Sequence, residues 1–436
     1  MKELLKKSDE VTRRNFMSRA ASTFLGVGMM PAANELLSGK VYGAGAGASN
    51  LKQVPTAKNV IYLYMSGGMT HLDTFDPKPG AETQGPTKAI KTSADGVRIG
   101  EYLPRTAQQM HHACVINSLT STQGAHEQGR YFMHTSYTLR GTIRHPAMGA
   151  WLLKFQDRLN ETLPGNVVIG NASRHPGAGF FEAKFSPLMI NNPEAGLQNS
   201  KRMKDVTEDQ FHSRIDLAQK LDQKFQEKYS HKGVRAYKDM YDDAVGLMQS
   251  KDLAAFDLTQ EPAELREAYG DDAFGQGCLL ARRLVENNVR FVEVALGGWD
   301  THQGNFVRVP ERCDILDRGL ATLLEDLHRR GMLDETMVVV ATEFGRTPDI
   351  NQNVGRDHYP KAFSAMLAGG GVKGGTIYGK TDKEGREVVE NKMEVPDLNA
   401  TIGYGLGLPL DHVLYSPSKR PFTVAHNGQP FAEIYA

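Results

Sequence analysis

The feature that most constrains the fold of this chain is a set of short, nearly continuous apolar runs, each followed by a polar loop. Three of them span residues 59–65, 291–296 and 336–341. Runs of this length without polar alternation are typical of strands buried on both faces, as in a parallel sheet. Ser-Gly-Gly, Gly-Gly and Thr-Glu follow the three runs in turn. We therefore expect strands that open into polar loops at one edge of a sheet.

Helical patterns separate these runs. Residues 311–330 carry leucines on one side, and residues 201–290 are charged and rich in helix-forming residues. Thr207 and Gln210 match a capping box before a long amphipathic run. No Pro/Gly/Ser-rich linker flanks this segment, so we interpret it as a helical insertion within one domain, residues 49–436. The alternation predicts an α/β fold with a mostly parallel central sheet and helices on both faces.

The first 48 residues have the order of an export signal. Lysines come first, then Arg13 and Arg14 in a twin-arginine-like motif, a mildly apolar stretch at 20–30 and small residues at 43–48. We predict a twin-arginine signal peptide over 1–48, engagement of the twin-arginine export machinery, and a periplasmic or secreted mature protein. The apolar stretch is too short to span a bilayer, so we expect no stable membrane span in the mature protein. A cytoplasmic protein with a basic arm is the alternative.

Composition excludes two classes of function. The 51 basic and 51 acidic residues balance, and no basic stripe suggests nucleic acid as a partner. Cys114, Cys278 and Cys313 are too scattered for a disulfide framework or a cysteine-rich zinc site, and we interpret them as buried free thiols.

Carboxylates and imidazoles follow the predicted strands. Ligands of open α/β sheets bind beyond the carboxyl ends of the strands, where these side chains lie. Carboxylate and imidazole ligands suit Zn or Mn, and Ca is a further candidate. The sequence therefore predicts a site for one or two divalent ions. Its candidate ligands are Asp300, His302, Glu343, His358, Asp73, His126 and Asp357.

The same edge offers groups for ester hydrolysis. Two ions roughly 4 Å apart would stabilise the attacking and leaving oxygens of a displacement at phosphorus. Arg346 or Arg356 could clamp oxygens of a phosphate or sulfate group. The nucleophile would be water or a hydroxyl from the loop expected after a short strand at 113–116. Those hydroxyl candidates are Ser118, Thr120, Ser121 and Thr122.

Several of these residues have plausible structural roles. Glu343 could cap backbone amides, and Asp73 could cap a turn. His126 and His134 share one face of a predicted helix and could simply pack there. The sequence leaves both interpretations open.

Five motifs resemble an exported bacterial family that is often labelled sulfatase-like, domain of unknown function family 1501, within the alkaline-phosphatase-like superfamily. They occupy residues 62–77, 122–134, 297–302, 342–348 and 355–360. The resemblance implies metal binding through Asp and His residues at strand ends. It matches Asp300 and His302 to a later Asp/His pair of the superfamily, and His358 to its final histidine.

The chain also departs from the superfamily pattern. Glu343 and Phe344 replace an Asp-His pair, and the first strand lacks its usual terminal Asp. No cysteine lies in the segment that sulfatases convert to an aldehyde. The leading hypothesis is an exported metal-dependent hydrolase of phosphate or sulfate esters, acting on small-molecule or polysaccharide esters. The alternative is a non-catalytic binding or accessory protein with a degenerate metal site on the same fold.

Overall fold

The structure is a computed structural model that describes residues 55–171, 174–198, 200, 204–228 and 232–436. The predicted signal peptide, residues 1–48, lies outside the described residues. Val54–Ala436 forms one compact unit, which includes the predicted helical insertion.

The described strands, numbered in chain order, are β1 (Asn59–Met65), β2 (Ala89–Lys91), β3 (Arg98–Gly100), β4 (Ala113–Thr120), β5 (Asn166–Ile169), β6 (Leu188–Ile190), β7 (Phe291–Leu296), β8 (Thr336–Ala341), β9 (Gly345–Arg346), β10 (His358–Tyr359), β11 (Phe363–Ala368), β12 (Thr376–Tyr378), β13 (Lys380–Thr381), β14 (Val388–Glu390), β15 (Met393–Glu394), β16 (Leu414–Tyr415) and β17 (Pro421–Phe422). The described α-helices are α1 (Pro104–Ala107), α2 (His126–Thr135), α3 (Met148–Gln156), α4 (Glu208–Lys228), α5 (Lys232–Gln249), α6 (Ala263–Tyr269), α7 (Ala273–Glu286), α8 (Asn305–Arg329) and α9 (Val395–Gly405).

A nine-stranded sheet organises the fold, with β1 near its centre. Its order is β12-β4-β11-β8-β1-β7-β5-β6, and β15 also pairs with β4. β1 pairs in parallel with both β7 and β8, and the parallel arrangement continues through β5 to β6. Only β11 among these strands runs against its neighbours, β8 and β4. The prediction of a mostly parallel central sheet is confirmed.

Both faces of the sheet are covered, which explains the uninterrupted apolar runs. Ile61 and Leu63 of β1 belong to the core that α7 and α8 complete. Val60 and Tyr62 point the other way, into the core shared with α2, α3 and α9. A strand buried on both faces needs no polar side for solvent, so its sequence does not alternate. The prediction of helices on both faces is confirmed.

Two boundaries differ from the sequence prediction. Helix α8 begins at Asn305 rather than at 311, and Pro310 lies inside it. Strand β4 runs to Thr120, although the sequence pattern ended it at 116. The polar residue Asn117 continues the strand because its side chain is paired inside the core, where Ser364 Oγ donates to its Oδ1 at 2.7 Å.

The predicted capping box and the predicted free, buried cysteines are confirmed. The amide of Thr207 donates to Gln210 Oε1 at 3.1 Å, and the amide of Gln210 donates to Thr207 Oγ1 at 3.3 Å, as a capping box requires before α4. The three cysteines are free and buried. None of the helices in the described ranges combines the length and apolar character that a membrane crossing requires.

Candidate metal centre

Three histidines and one aspartate meet beyond the carboxyl ends of the central strands. His126 is the first residue of α2, and Asp300 and His302 lie in the loop between β7 and α8. His358 begins β10, a short strand that pairs with β9 just after β8. We call these four residues the edge cluster. They come from three distant stretches of the chain, which the sheet brings to one edge.

Three members of the edge cluster, His126, Asp300 and His358, place ligand atoms within 4.8 Å of one another, and His302 adjoins this group. His126 Nε2 is 3.4 Å from Asp300 Oδ2, and His302 Nε2 is 3.2 Å from Asp300 Oδ1. His358 Nε2 is 3.5 Å from Asp300 Oδ1 and 3.0 Å from His302 Nε2. Two nitrogens bound tetrahedrally to zinc at about 2.0–2.1 Å would lie roughly 3.3 Å apart. The spacing of the edge cluster is close to that arrangement.

Each imidazole of the edge cluster makes a hydrogen bond through Nδ1, whereas its Nε2 is the nitrogen near Asp300. The three Nδ1 contacts are His126 to Glu343 Oε1 at 2.8 Å, His302 to Asp357 Oδ1 at 2.6 Å and His358 to the carbonyl oxygen of Gly124 at 2.9 Å. Carboxylate and carbonyl oxygens only accept hydrogen bonds, so each Nδ1 donates. A neutral ring that donates through Nδ1 keeps a lone pair on Nε2, which in each of the three rings lies 3.2–3.5 Å from an oxygen of Asp300. Metal-binding histidines in proteins are oriented in this way.

Glu343 accepts the hydrogen bond from His126 Nδ1 and is not itself a member of the edge cluster. Its side chain is fully buried, and its oxygens accept hydrogen bonds from the Tyr64 hydroxyl and the Gly67 amide, both at 2.9 Å. Burial alone would raise the pKa of Glu343, but hydrogen bonds, led by that of His126, lower it overall. The carboxylate is thus ionised and already occupied. The sequence had proposed Glu343, and likewise Asp357, as ligands; the structure places both behind histidines.

The charges within the edge cluster favour an ionised aspartate. Partial burial would raise the pKa of Asp300, but the hydrogen bond and charge of Arg346, with the nearby His126, lower it to about 2. The hydrogen bond to Glu343 raises the pKa of His126. Burial lowers the pKa of His358, which favours its neutral ring.

Arg346 fixes Asp300 and the loop after β1. It is fully buried, and its Nη2 donates to Asp300 Oδ1 and to the carbonyl of Gly67. Its Nε and Nη1 donate to the carbonyls of Gly68 and Arg356, each at 3.0 Å. All three nitrogens are occupied within the protein. This geometry favours a positioning role and does not support the substrate clamp that the sequence suggested.

Asp73 and Arg356 form a separate, fully buried pair. Arg356 Nε lies 3.0 Å from Asp73 Oδ2, and the other guanidinium nitrogens donate to backbone carbonyls such as that of Thr83. Asp73 also accepts from Thr87 at 2.7 Å and from Asn305 at 2.9 Å. Both residues belong to the scaffold under the site, where the structure supports neither the ligand role nor the clamp role expected from the sequence.

The candidate hydroxyls divide into two groups. Ser118 is fully buried on β4, and a Cβ atom on Gly379 would come within 2.0 Å of its Oγ, so the hydroxyl is sealed under the neighbouring chain. Thr120, Ser121 and Thr122 line a cavity of about 330 Å³. Gly124, whose carbonyl accepts from His358 Nδ1, follows Thr122 by two residues. The buried position of Ser118 excludes it as an accessible nucleophile.

A second group of similar residues lies inside the protein. Glu293 of β7 is buried, 3.1 Å from His134 Nε2 and 3.4 Å from His175 Nε2. We call these three residues the buried cluster. The Gly177 amide donates to His175 Nδ1 at 3.0 Å, so His175 Nε2 carries a proton and faces Glu293. His134 Nδ1 contacts the carbonyl of Arg130 at 2.8 Å, so this ring donates from both nitrogens. The hydrogen bonds are those of a buried ion pair.

Electrostatics agree with that description of the buried cluster. Burial lowers the pKa of His134, but the charge and hydrogen bond of Glu293 raise it overall. Burial would raise the pKa of Glu293, but His134 and His175 lower it well below its usual range. Sequence reasoning overlooked Glu293 and His175. The available signal was a carboxylate in the middle of a run expected to be buried on both faces.

No curated protein matches this chain. A protein in the alkaline phosphatase superfamily from Vibrio parahaemolyticus is 10% identical, with 88% of this chain and 71% of that chain covered and a TM-score of 0.40. The phosphonate monoester hydrolase SpPMH from Silicibacter pomeroyi is 12% identical, with coverage of 86% and 76% and a TM-score of 0.39. The C-terminal periplasmic domain of EcEptC from Escherichia coli, in complex with Zn, is 10% identical, with coverage of 90% and 99% and a TM-score of 0.36.

These structural likenesses assign no residue of the edge cluster. The family is identified by sequence, because the model described as "Protein of unknown function (DUF1501)" matches residues 57–435, and the chain belongs to this family.

Proposed function

We propose that the protein is a metal-dependent hydrolase of phosphate or sulfate esters, with one divalent ion bound by the edge cluster. One observation carries the proposal: three Nε2 atoms converge on Asp300 while an acceptor holds each Nδ1 from behind. Packing alone does not require three imidazoles to place Nε2 within 3.2–3.5 Å of one carboxylate. A cation between them would relieve the repulsion between unprotonated nitrogens and the carboxylate.

The donor set supports zinc, with manganese as the second candidate. Three imidazole nitrogens and one carboxylate oxygen are ligands that both ions accept. The buried Nε2 of His126 has no hydrogen-bond partner among the described residues, and a metal would satisfy it. We favour one ion over two because Glu343 and Asp357 already accept from histidines.

The residues around the edge cluster have distinct proposed roles. A divalent ion would supply positive charge to ester oxygens and promote ionisation of the attacking group. Glu343 and Asp357 hold the His126 and His302 rings and make them stronger ligands. Arg346 keeps Asp300 ionised and in place. Thr120, Ser121 and Thr122, or water, stay as candidates for the attacking oxygen.

The alternative is a binding or accessory protein that holds a metal without turnover. The sealed hydroxyl of Ser118 favours it, since one of the candidate nucleophiles is removed. The difference lies in turnover, not in metal content, so the two proposals can be separated by experiment.

The test combines metal analysis with an activity screen. The mature protein is purified, its Zn and Mn contents are measured by mass spectrometry, and hydrolysis of p-nitrophenyl phosphate and p-nitrophenyl sulfate is followed. We expect about one ion per chain and hydrolysis of at least one ester. Asp300→Ala should lose both, whereas Asp349→Ala, which removes an exposed aspartate paired with Arg386, should keep both.

Two outcomes contradict the hydrolase proposal differently. A metal-loaded protein that is inert on both esters after addition of Zn and Mn supports the accessory protein. A folded protein that binds neither ion contradicts both proposals.

Export through the twin-arginine machinery stays a prediction for residues 1–48. Replacing Arg13 and Arg14 together by lysine should retain the precursor in the cytoplasm, as fractionation and immunoblotting would show. Periplasmic accumulation of this variant would count against the predicted route.

A further inference from the structure

Several arginines lie near the edge cluster, and their guanidinium groups differ in how fully they are engaged. Arg308 is exposed and donates from Nη1 to the Asp300 carbonyl at 3.2 Å. Arg346 and Arg356 are fully buried, and every nitrogen of each donates to protein oxygens. Arg130 of α2 is half-buried and makes one hydrogen bond, from Nη2 to Ser66 Oγ at 3.3 Å. Its Nε is buried and has no partner among the described residues.

Arg130 also lacks a carboxylate partner in the described part of the chain. The ion pairs found there join other arginines to Asp or Glu, but none includes Arg130. A guanidinium has five N–H donors in a planar fork. Partial burial of this charged group without an anion costs free energy, because its donors lose water without gaining acceptors. Phosphate and sulfate oxygens match this fork through paired hydrogen bonds.

The position of Arg130 connects it to the edge cluster. It lies four residues after His126, so both side chains share one face of α2, about 6 Å apart along the axis. Its partner Ser66 follows β1 directly and precedes Gly67, whose amide donates to Glu343. The Ser66 carbonyl accepts from the Trp299 amide at 3.3 Å, next to Asp300. Arg130 and Ser66 are therefore fixed beside the loop that carries the ligands.

We propose that Arg130 and Ser66 form the anion-binding subsite of the edge cluster, which receives the charged phosphoryl or sulfuryl group of an ester. The Arg130 fork donates to two oxygens of the group, and the Ser66 hydroxyl donates to one. This inference rests on the proposed function and assigns substrate contact to Arg130 rather than to Arg346 or Arg356.

The experiment measures anion binding rather than turnover. Inorganic phosphate and inorganic sulfate are titrated separately, by calorimetry at low ionic strength, into the protein carrying the metal with which it is purified. The variants are Arg130→Met, which removes the charge and the fork, and Arg130→Lys, which keeps the charge. Arg318→Met is the control, because Arg318 is a half-buried arginine of α8 near Asp271. Circular dichroism and melting temperature establish that each variant is folded.

We expect the wild-type protein and Arg318→Met to bind at least one of the two anions with equal affinity. Arg130→Met should weaken that binding by tenfold or more, and Arg130→Lys by less. The anion that responds distinguishes a phosphoryl from a sulfuryl subsite. Equal binding by folded Arg130→Met, or no binding of either anion to the wild-type protein, would overturn the proposal.

Failure of the proposed function has a different signature. If anion binding depends on Arg130 but the metal-loaded protein hydrolyses neither aryl ester, the hydrolase proposal falls and the anion subsite is supported.

Discussion

The edge cluster and the buried cluster are built from the same residue types but differ in the direction of their hydrogen bonds. Asp300 in the edge cluster faces Nε2 atoms whose rings already donate through Nδ1. In the buried cluster, His175 accepts at Nδ1 from the Gly177 amide, so its Nε2 carries a proton and faces Glu293. His134 Nε2 is hydrogen-bonded to the same carboxylate at 3.1 Å. The edge cluster can therefore bind a cation through its Nε2 atoms. In the buried cluster, the protons on the histidines already interact with the Glu293 carboxylate.

Proximity of ligand atoms alone does not define a metal site. In each cluster three residues offer ligand atoms within 4.8 Å of one another: His126, Asp300 and His358 in the edge cluster, and all three members of the buried cluster. The groups behind the rings decide which nitrogen carries the proton, and that proton decides whether a metal can bind. Exposure adds to the contrast, because the side chain of Asp300 is 47% exposed and that of Glu293 is 4% exposed.

The largest expected difference concerns metal affinity. Asp300→Asn removes the charged ligand, and we expect the Zn affinity to fall by more than the roughly 10–100-fold that second-shell changes cause. Glu293→Gln should leave the Zn affinity unchanged. Competition with a chromophoric chelator measures both variants. A loss of Zn with Glu293→Gln and not with Asp300→Asn would reverse the assignment of the two clusters.

The free energy of unfolding should depend on Glu293, although the Zn affinity should not. Glu293→Gln leaves the buried His134 without its counter-ion, and we expect the free energy of unfolding to fall by roughly 3 kcal/mol. Urea denaturation followed by circular dichroism measures it. Asp349→Asn, on the surface, should change it by less than about 0.5 kcal/mol and serves as the control. A Glu293→Gln protein as stable as the control would contradict the ion-pair description.

Asp357→Asn tests whether the hydrogen bond to His302 Nδ1 affects the Zn affinity of the edge cluster. It weakens the acceptor behind His302 without touching a ligand, and we expect Zn affinity to drop by about 10–100-fold. The fold should be unaffected because Asp357 is exposed. An unchanged affinity would show that Asp357 does not orient His302.

The smallest expected effect is the pH dependence of the buried pair. The lowered pKa of Glu293 contributes stability above its unfolded value, about 4.3, which is lost as pH falls through the folded pKa. The raised pKa of His134 contributes stability below its unfolded value, about 6.5, which is lost as pH rises through the folded pKa. The stability difference between wild type and Glu293→Gln should therefore be largest between about pH 4.3 and 6.5. Unfolding curves of both proteins across that range test this, and a constant difference would contradict it.

The sequence predicted the sheet well because strands buried on both faces appear as apolar runs. The residues 336–341 were predicted as a strand with the bounds that β8 has. The antiparallel direction of β11 was not predictable, since its apolar run resembles those of the parallel strands. Strand β4 was cut short at Asn117 because its pairing with Ser364 depends on tertiary structure.

The candidate site was predictable as a set of residues but not as a set of roles. The rule that ligands gather at strand ends selected Asp300, His302 and His358. His126, on a predicted helix, was a possible further ligand, and the structure brings the four together. Whether Glu343 contacts an ion or a histidine depends on side-chain directions that spacing along the chain does not contain. Arg356 was proposed as a clamp for phosphate or sulfate oxygens but lies fully buried. Its neighbour in the motif, Asp357, is exposed.

The central claim is that the edge cluster binds an ion and the buried cluster does not. The most direct test is an anomalous difference map from crystals of the purified mature protein, recorded above and below the Zn absorption edge. We predict one peak, about 2.1 Å from the Nε2 atoms of His126, His302 and His358 and from an oxygen of Asp300, and no peak beside Glu293. A peak at Glu293, or none at the edge cluster in crystals soaked with Zn and Mn, would contradict the account.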